Sequence, residues 1–259
     1  MKIAVIGRGL IGGSLEKACR RAGFEVDIYP GRGEHSRMDG YDIVFLAVPP
    51  ETVVRITGEI APSLHAGAIV MDIAGVKTGI YNEIKQKYIL NSKWHFVGAH
   101  PMAGKEQTGY SNSSADLFDG ASIILTPYPT YGHQVIDTVE NVLKKLGFGR
   151  IVYTNPEHHD KMIAYTSQLC HILSSIYVRD ELSKEHLGYS GGSFRDLSRV
   201  GAPDPDIWTE LFMENRKALL PVVDRYLRRL GDFREKLANG DRDGIHGALE
   251  QAVEAKKQI

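Results

Sequence analysis

One histidine of this chain stands in a loop that is punctuated by glycines. Residues 98–109 read Gly-Ala-His-Pro-Met-Ala-Gly-Lys-Glu-Gln-Thr-Gly, so His100 is followed directly by Pro101. An imidazole titrates near neutral pH and can accept the proton that an alcohol loses when it is oxidised. A histidine that merely caps a loop is the alternative. The residue is therefore a candidate general base, and the other motifs of the chain decide whether a catalytic role is favoured.

The N-terminus carries a glycine pattern typical of dinucleotide binding. Gly7-Arg8-Gly9-Leu10-Ile11-Gly12 matches G-x-G-x-x-G, between an apolar run at 2–6 and a helical pattern that begins near Ile11. Gly7 permits a tight turn, Gly9 lets the backbone approach a pyrophosphate, and Gly12 lets the helix pack closely on the strand. The unpaired N–H groups at the start of such a helix favour phosphate. These six residues are predicted to bind a dinucleotide.

The second strand ends without the acidic residue that binds the ribose hydroxyls at an NAD site. Its tip reads Tyr29-Pro30-Gly31-Arg32-Gly33. Arg32 could neutralise a 2′-phosphate, and a solvated loop position is the alternative, so NADP is favoured over NAD as cofactor. The segment from Gly31 to Tyr41 is too short for the usual helix and strand, which predicts an open or rebuilt adenine side. The nicotinamide is placed near Val48-Pro49, where the third strand ends.

The order of apolar and helical patterns predicts the fold. Up to Tyr153 short apolar runs alternate with helices, which is typical of a doubly wound parallel sheet of the Rossmann type. Strands are predicted at 2–6, 24–29, 42–48, 68–73, 94–98, 122–126 and 151–153, and helices at 11–21, 51–60 and 133–146. Beyond Thr154 only helical patterns remain, at 156–180, 208–230 and 232–238. The expected domains are an α/β dinucleotide-binding domain over 1–154 and an all-helical domain over 155–259.

Composition excludes several classes of protein. The 259 residues suffice for two domains, and 42% hydrophobic with 24% charged residues is an ordinary soluble composition. A net charge of −1 indicates neither nucleic acid nor an anionic membrane as partner. No apolar run approaches the roughly 18 residues of a membrane span, and no signal peptide precedes the first strand. Cys19 and Cys170 lie in apolar helical patterns, which predicts buried, reduced thiols and a cytoplasmic protein.

Three further segments complete a recognisable set. They are Asp72-Ile73-Ala74-Gly75-Val76-Lys77, Thr166-Ser167-Gln168-Leu169-Cys170-His171, and Gly191-Gly192-Ser193-Phe194-Arg195-Asp196-Leu197-Ser198-Arg199. With the loop of His100 and the N-terminal glycines, they resemble the prephenate dehydrogenase family, which includes the arogenate dehydrogenases. The resemblance runs from Lys2 to about Arg216. It implies a Rossmann domain, a helical dimerisation domain with a homodimer, and an active site between the domains.

The resemblance also implies an activity. The family uses NAD(P) to oxidise and decarboxylate prephenate to 4-hydroxyphenylpyruvate, or arogenate to tyrosine, in tyrosine biosynthesis. His100 matches the family's catalytic histidine. Loss of CO₂ then makes the ring aromatic, so no metal is expected.

Four other residues take roles from the same resemblance. Arg199 matches an arginine that binds substrate carboxylate, with a salt bridge to Asp196 as the alternative. His171 matches a residue that contacts the substrate side chain. Gln168 is also expected to bind the substrate, and it stands where another histidine is frequent. Positions 167, 168 and 171 share one face of a regular helix. Glu106 resembles an acid that gates the pocket by pairing with the arginine, with an exposed loop acid as the alternative.

Gly75, which is also expected to border the cofactor, departs from the family pattern. Many members carry a serine there, whose hydroxyl bonds the catalytic histidine and the substrate hydroxyl. Water is the simplest replacement, because a missing side chain leaves space for it. Ser111, Ser113 and Lys77 are the alternative substitutes.

Two other function classes fit part of the pattern. A β-hydroxyacid dehydrogenase or imine reductase shares the N-terminal motif but typically relies on a lysine of the second domain's long helix. Here that helix offers His171, and Lys161 lies two turns or more earlier. A non-catalytic dinucleotide sensor fits the short segment 31–41 and Gly75, but it has no need for His100, His171 and Arg199 together.

Overall fold

The computed structural model describes residues 1–33, 35, 37–89, 92–105 and 107–259. The chain forms two compact units, Met1–Asn215 and Arg216–Ile259. The first unit contains a seven-stranded sheet with its covering helices, followed by four shorter helices. The second unit consists of two helices. The predicted domain boundary at Thr154 lies inside the first unit and stays a prediction.

The sheet confirms the predicted doubly wound architecture, with strand order β2-β1-β3-β4-β5-β6-β7. The strands are β1 Lys2–Ile6, β2 Glu25–Tyr29, β3 Ile43–Leu46, β4 Ile69–Asp72, β5 His95–Pro101, β6 Ser122–Pro127 and β7 Arg150–Tyr153. All neighbours are parallel except β6, which runs antiparallel to β5. The sequence prediction of a wholly parallel sheet is wrong at this pair. A parallel return needs a crossover, usually helical, whereas a loop with one short 3₁₀ turn joins β5 to β6.

The described residues contain ten α-helices, which follow the predicted alternation in the first half of the chain and differ from it in the second. They are α1 Leu10–Arg21, α2 Pro50–Ile60, α3 Thr78–Lys87, α4 His133–Lys145, α5 Pro156–Ile163, α6 Leu169–Tyr177, α7 Gly192–Ser198, α8 Pro205–Glu214, α9 Arg216–Ala238 and α10 Arg242–Lys256. Three of them, α3, α7 and α10, lack a counterpart among the predicted helices.

Two predicted helices of the second half have wrong limits. The helix expected at 156–180 is divided by a π-helical turn, Ala164–Gln168. The helix expected at 208–230 is interrupted at Asn215, and α9 continues through Gly231, where two separate helices were expected. Helical periodicity alone does not show where a backbone changes its pitch.

The core lies on both faces of the sheet. Along β1, Ile3 and Val5 pack into the layer that contains α1 and α4, whereas Ala4 and Ile6 face the layer that contains α2 and α3. Alternate residues of a strand point to opposite faces, so two buried faces require the continuous apolar runs seen in the sequence. The sheet is thereby a rigid base whose carboxyl edge carries the functional side chains.

The two cysteines are free thiols in different surroundings. Cys19 is buried, and burial raises its pKa to about 12. Cys170 is exposed, so its predicted burial is wrong. Among the described residues, none of the helices has the length and apolar character that a membrane crossing needs.

Candidate active site

The glycine-rich turn joins β1 to α1, and its packing requires glycine at two of the predicted positions. Gly7 has φ +117°, and a Cβ there would lie 2.0 Å from the carbonyl oxygen of Ala47. A Cβ on Gly12 would lie 1.8 Å from the carbonyl oxygen of Gly7. Among the described residues, none lies within 4 Å of a Cβ placed on Gly9, and none caps the start of α1 with its side chain. The turn therefore leaves an open cradle with helix N–H groups, which fits a pyrophosphate.

Arg8 links this cradle to the loop that follows His100. Its guanidinium lies 4.8 Å from the centre of the Tyr110 ring, and the Tyr110 hydroxyl donates to Glu16 of α1 at 2.6 Å. Ser111 lies exposed in the same turn, Tyr110–Asn112, which packs on α1. The turn thus borders the predicted phosphate site.

A cavity of about 250 Å³ lies next to the cradle at the carboxyl edge of the sheet. It collects four predicted cofactor residues with residues of α8. Its walls are Ile11, Ala47, Val48, Pro49, Pro50, Ile73, Ala74, Gly75, Ile207, Glu210 and Leu211. The lining is mostly apolar, which suits a nicotinamide ring, and ligands of open α/β sheets bind at this edge.

Gly75 faces Leu211 and His100 at this cavity. A Cβ on Gly75 would lie 3.2 Å from Cδ2 of Leu211 and 3.8 Å from Nε2 of His100. Leu211 therefore occupies part of the space that we expected water to fill. A larger side chain at position 75 would have to displace this leucine.

His100 is at the carboxyl end of β5, where it pairs with Ile124 of β6. Its ring is half-buried, and its Nδ1 lies 2.9 Å from Nε2 of His159. Burial, with the nearby His159 and Lys77, holds the pKa of His100 well below its ordinary value. The imidazole is therefore neutral near pH 7, which is the form that accepts a proton.

His159 and Asp160 are functional candidates that the sequence analysis missed. Both lie on α5 and are buried, and Nδ1 of His159 is 2.8 Å from Oδ1 of Asp160. Asp160 also accepts the backbone N–H groups of Lys77 and Thr78, each at 2.8 Å. Burial alone would raise the pKa of Asp160, but the hydrogen bonds from His159 and Thr78 hold it below its ordinary value. The adjacent His-Asp pair after Pro156 was the only signal in the sequence.

Lys77 does not lie where a substrate ligand should. Its side chain is 1% exposed, and its ammonium forms an ion pair with Asp72, which is fully buried. Burial lowers the pKa of Lys77 against the attraction of Asp72. This position contradicts the prediction of direct substrate contact, because the pair is closed off within the protein. Lys77 instead places a positive charge near His100 and His159, which lowers the pKa of both histidines.

A second, larger cleft of about 720 Å³ holds two of the predicted catalytic residues, His171 and Arg199. The loop after His100 contributes to the same cleft. The lining residues are Gly104, Lys105, Gln107, Thr108, His171, Arg199, Val200, Ala202, Pro203, Asp204, Ile207 and Trp208. Ile207 also lines the smaller cavity, so the two spaces adjoin. Arg199 and Lys105 make this cleft suitable for an anion.

His171 stands in this cleft with one ring nitrogen engaged. Its Nδ1 lies 3.0 Å from the carbonyl oxygen of Ser167, to which it can only donate, so Nε2 is the nitrogen left for a ligand. The ring stacks on Trp208 with 3.6 Å between ring centres. Burial lowers the pKa of His171, and Arg199 lowers it further. The neutral imidazole is the form expected at pH 7.

Gln168 is the second predicted substrate residue that the structure places elsewhere. Its side chain is 2% exposed, its amide donates to the carbonyl oxygen of Leu211 at 3.0 Å, and its oxygen accepts from Asn215 at 2.7 Å. The prediction assumed a regular helix, in which the side chains of Gln168 and His171 share one face. The π-helical turn that ends at Gln168 changes the helical pitch, so the two side chains point in different directions. Gln168 thus anchors α8 within the protein.

Two predictions on Arg199 and its partners have different outcomes. Glu106, the predicted gating acid, lies outside the described residues. Within the described part of the chain, Arg199 forms no ion pair with Asp196, so that alternative finds no support. In the same part of the chain, no three histidine, cysteine or acidic side chains are grouped as a metal site would require.

This site has the arrangement of a dinucleotide-dependent dehydrogenase. It combines a phosphate cradle and an apolar cavity with a neutral histidine and an adjoining cationic cleft. Residues 6–153 match the model of the prephenate dehydrogenase nucleotide-binding domain, and residues 155–251 match the model of the prephenate dehydrogenase dimerization domain. The chain therefore belongs to the prephenate dehydrogenase family, and it is an NAD(P)-dependent oxidoreductase.

Individual relatives agree with this placement. The chain is 31% identical to a cyclohexadienyl dehydrogenase of Zymomonas mobilis over 98% of this chain and 94% of that protein. Arogenate dehydrogenase of Synechocystis has 27% identity and a TM-score of 0.81, covering 100% of this chain and 99% of that one. Prephenate dehydrogenase from A. aeolicus, solved with hydroxyphenyl propionate and NAD⁺, has 25% identity and a TM-score of 0.83, covering 100% and 98%.

Proposed function

We propose that this chain oxidises and decarboxylates prephenate, or arogenate, as a step of tyrosine biosynthesis. The observation that carries the proposal is the position of His100. Its Nε2 faces Gly75 at the apolar cavity, and the adjoining cleft contains Arg199 and His171. A base beside the nicotinamide position and a cation in the next cleft suit an anionic alcohol substrate.

The residues divide the reaction between them. A bound oxidised nicotinamide, held near Val48 and Pro49, would supply the acceptor for the hydride of the ring carbon that carries the hydroxyl. His100 accepts the hydroxyl proton through Nε2 as that hydride leaves, and the C–O bond becomes a carbonyl. The bond to the carboxylate at the opposite ring carbon then breaks. Its electron pair enters the ring and CO₂ leaves. The oxygen then takes back the proton held by His100, so that the ring becomes aromatic with a phenol hydroxyl.

Substrate binding falls to the larger cleft. Arg199 matches a carboxylate with two parallel N–H groups, and Lys105 adds a second positive charge on the opposite loop. His171 can contact the substrate side chain through Nε2, because Ser167 already engages Nδ1.

Turnover by the purified protein tests this proposal. With prephenate or arogenate and an oxidised dinucleotide, the absorbance of reduced nicotinamide should rise, and CO₂ should form in equal amount. Reduction of the dinucleotide with a β-hydroxyacid as substrate, but not with prephenate or arogenate, would support a β-hydroxyacid dehydrogenase instead. Tight binding of dinucleotide with no turnover on any of these substrates would indicate a sensor.

We further propose NADP as the preferred cofactor. Arg32 is exposed just beyond β2, and Asp27, the acid of β2 closer to its end, is already engaged. It accepts from Tyr41 at 2.7 Å and lies 3.5 Å from the Lys2 ammonium. Asp27 is thus occupied within the sheet edge, which supports a site without an acid for the ribose hydroxyls.

Arg32→Ala should raise the KM for NADP⁺ about 10- to 100-fold, because the 2′-phosphate loses its charged partner. The KM for NAD⁺ should stay within about twofold, since NAD⁺ lacks that phosphate. Initial rates with each cofactor measure both constants, and NAD⁺ is the internal control. Equal increases for the two cofactors would contradict the assignment.

We also propose a homodimer with domains at 1–154 and 155–259, in the cytoplasm. The match of residues 155–251 to a dimerization domain supports the first part. Leucines along α9 and α10 also support it, because they are more than half exposed and apolar helix faces favour a partner. These are Leu220, Leu227, Leu230, Leu237 and Leu249. The two free thiols suit a reducing compartment.

A further inference from the structure

Three side chains form a chain of hydrogen bonds from the protein core to the apolar cavity. Asp160 contacts His159 at 2.8 Å, and His159 contacts His100 at 2.9 Å. Asp160 and His159 lie on α5, and His159 is 59 residues along the chain from His100 on β5. Their direction of donation decides which nitrogen of His100 carries a proton.

The carboxylate end of this chain can only accept. Asp160 receives the N–H of Lys77 on Oδ1 and the N–H of Thr78 on Oδ2, where α3 begins. An ionised carboxylate has no proton to give, and the start of a helix favours the ionised form. Nδ1 of His159, which contacts Oδ1, must therefore be the donor.

The positions of the protons on the two histidines follow from the ionised state of Asp160. A neutral imidazole has one N–H group, so Nε2 of His159 is an acceptor. Nδ1 of His100 must then donate to it, and Nε2 of His100 is left with a free lone pair. That nitrogen is the one that faces Gly75 at the cavity.

We propose that His159 and Asp160 are positioning residues that hold His100 in its Nδ1–H tautomer, with Nε2 directed as a base toward the substrate hydroxyl. This inference rests on the proposed function of His100. In the other tautomer the ring would present an N–H group to that hydroxyl and could not take its proton. The contacts to His159 also restrict rotation of the ring.

The charges around the two histidines are consistent with neutral rings. Asp160 lies beside His159 on α5, and the Lys77–Asp72 pair acts on His159 from the residue before α3 and from the end of β4. Burial lowers the pKa of both histidines, and Lys77 lowers each further, while the acids oppose the effect only at His159. Neither ring is therefore charged near pH 7, and each has a single N–H to place.

His159→Leu removes the acceptor of the His100 Nδ1–H group, and His159→Gln restores an acceptor while its amide can still donate to Asp160. We expect the leucine variant to lose roughly 10²–10⁴-fold in kcat, the range of general-base help, with the KM for dinucleotide little changed. The glutamine variant should recover most of the loss. His158→Leu is the matched control, because His158 is exposed on the same helix and should leave kcat unchanged.

Nitrogen NMR of ¹⁵N-histidine-labelled protein reads the tautomer without substrate, so it remains valid if the proposed reaction is wrong. The wild type should show His100 protonated at Nδ1 and bare at Nε2 near pH 7, and the leucine variant a mixture of both forms. A wild-type His100 protonated at Nε2 would overturn the inference. Wild-type kcat in the leucine variant, or a glutamine variant as slow as a folded leucine variant, would overturn it as well. Should the leucine variant not fold, the wild-type spectrum and the glutamine variant decide.

Discussion

His100→Asn should lower kcat about 10²–10⁴-fold, because asparagine cannot take up the hydroxyl proton at neutral pH. The affinity for dinucleotide should stay within about twofold, since the phosphate cradle at Gly7–Gly12 is untouched. Steady-state rates give kcat, and a fluorescence titration with the reduced cofactor gives the affinity. A variant with undiminished kcat would refute the role of His100.

The matched control and the pH dependence sharpen this test. His95→Asn changes the histidine at the other end of β5 and should leave kcat unchanged. The base works only when deprotonated, so activity falls as pH drops through the pKa of His100. Because burial, His159 and Lys77 hold that pKa well below 6.5, kcat/KM should be level down to about pH 6.5 and fall only below it. Half-maximal activity above pH 6.5 would contradict this assignment.

Arg199→Ala should raise the KM for the carboxylate substrate about 100-fold, a loss of about 2.7 kcal/mol in substrate affinity. The guanidinium lies in the larger cleft, where it can bind a carboxylate through two N–H groups. The KM for dinucleotide should change little, because the predicted cofactor residues line the other cavity. Initial rates over a range of each substrate separate the two constants.

Two further variants control for charge and location. Arg195→Ala removes an exposed arginine one helical turn earlier on α7 and should leave both constants unchanged. Arg199→Lys keeps the charge but loses the two-pronged match, so its KM should lie between those of the wild type and the alanine variant. Equal increases in the KM of substrate and dinucleotide on Arg199→Ala would show that the residue supports the fold instead.

The features that depend on short-range chemistry could be predicted from the order of the amino acids. The glycines at 7 and 12 are needed because backbone atoms pass within 2.0 Å of where a Cβ would stand, and such spacing is a local property. The strands were predictable because both faces of the sheet are buried, which demands unbroken apolar runs. His100, His171 and Arg199 were predicted as site residues because their flanking residues form a recognisable order along the chain.

The contacts between distant segments could not be predicted from the sequence and are seen only in the folded structure. His159 meets His100 across 59 residues, and Leu211 reaches Gly75 from another part of the chain, so neither contact has a local pattern. Gln168 turns inward because a π-helical turn changes the pitch on which its predicted direction depended. Burial and hydrogen bonding depend on which elements pack together, and they decide which residues of a motif can reach a ligand.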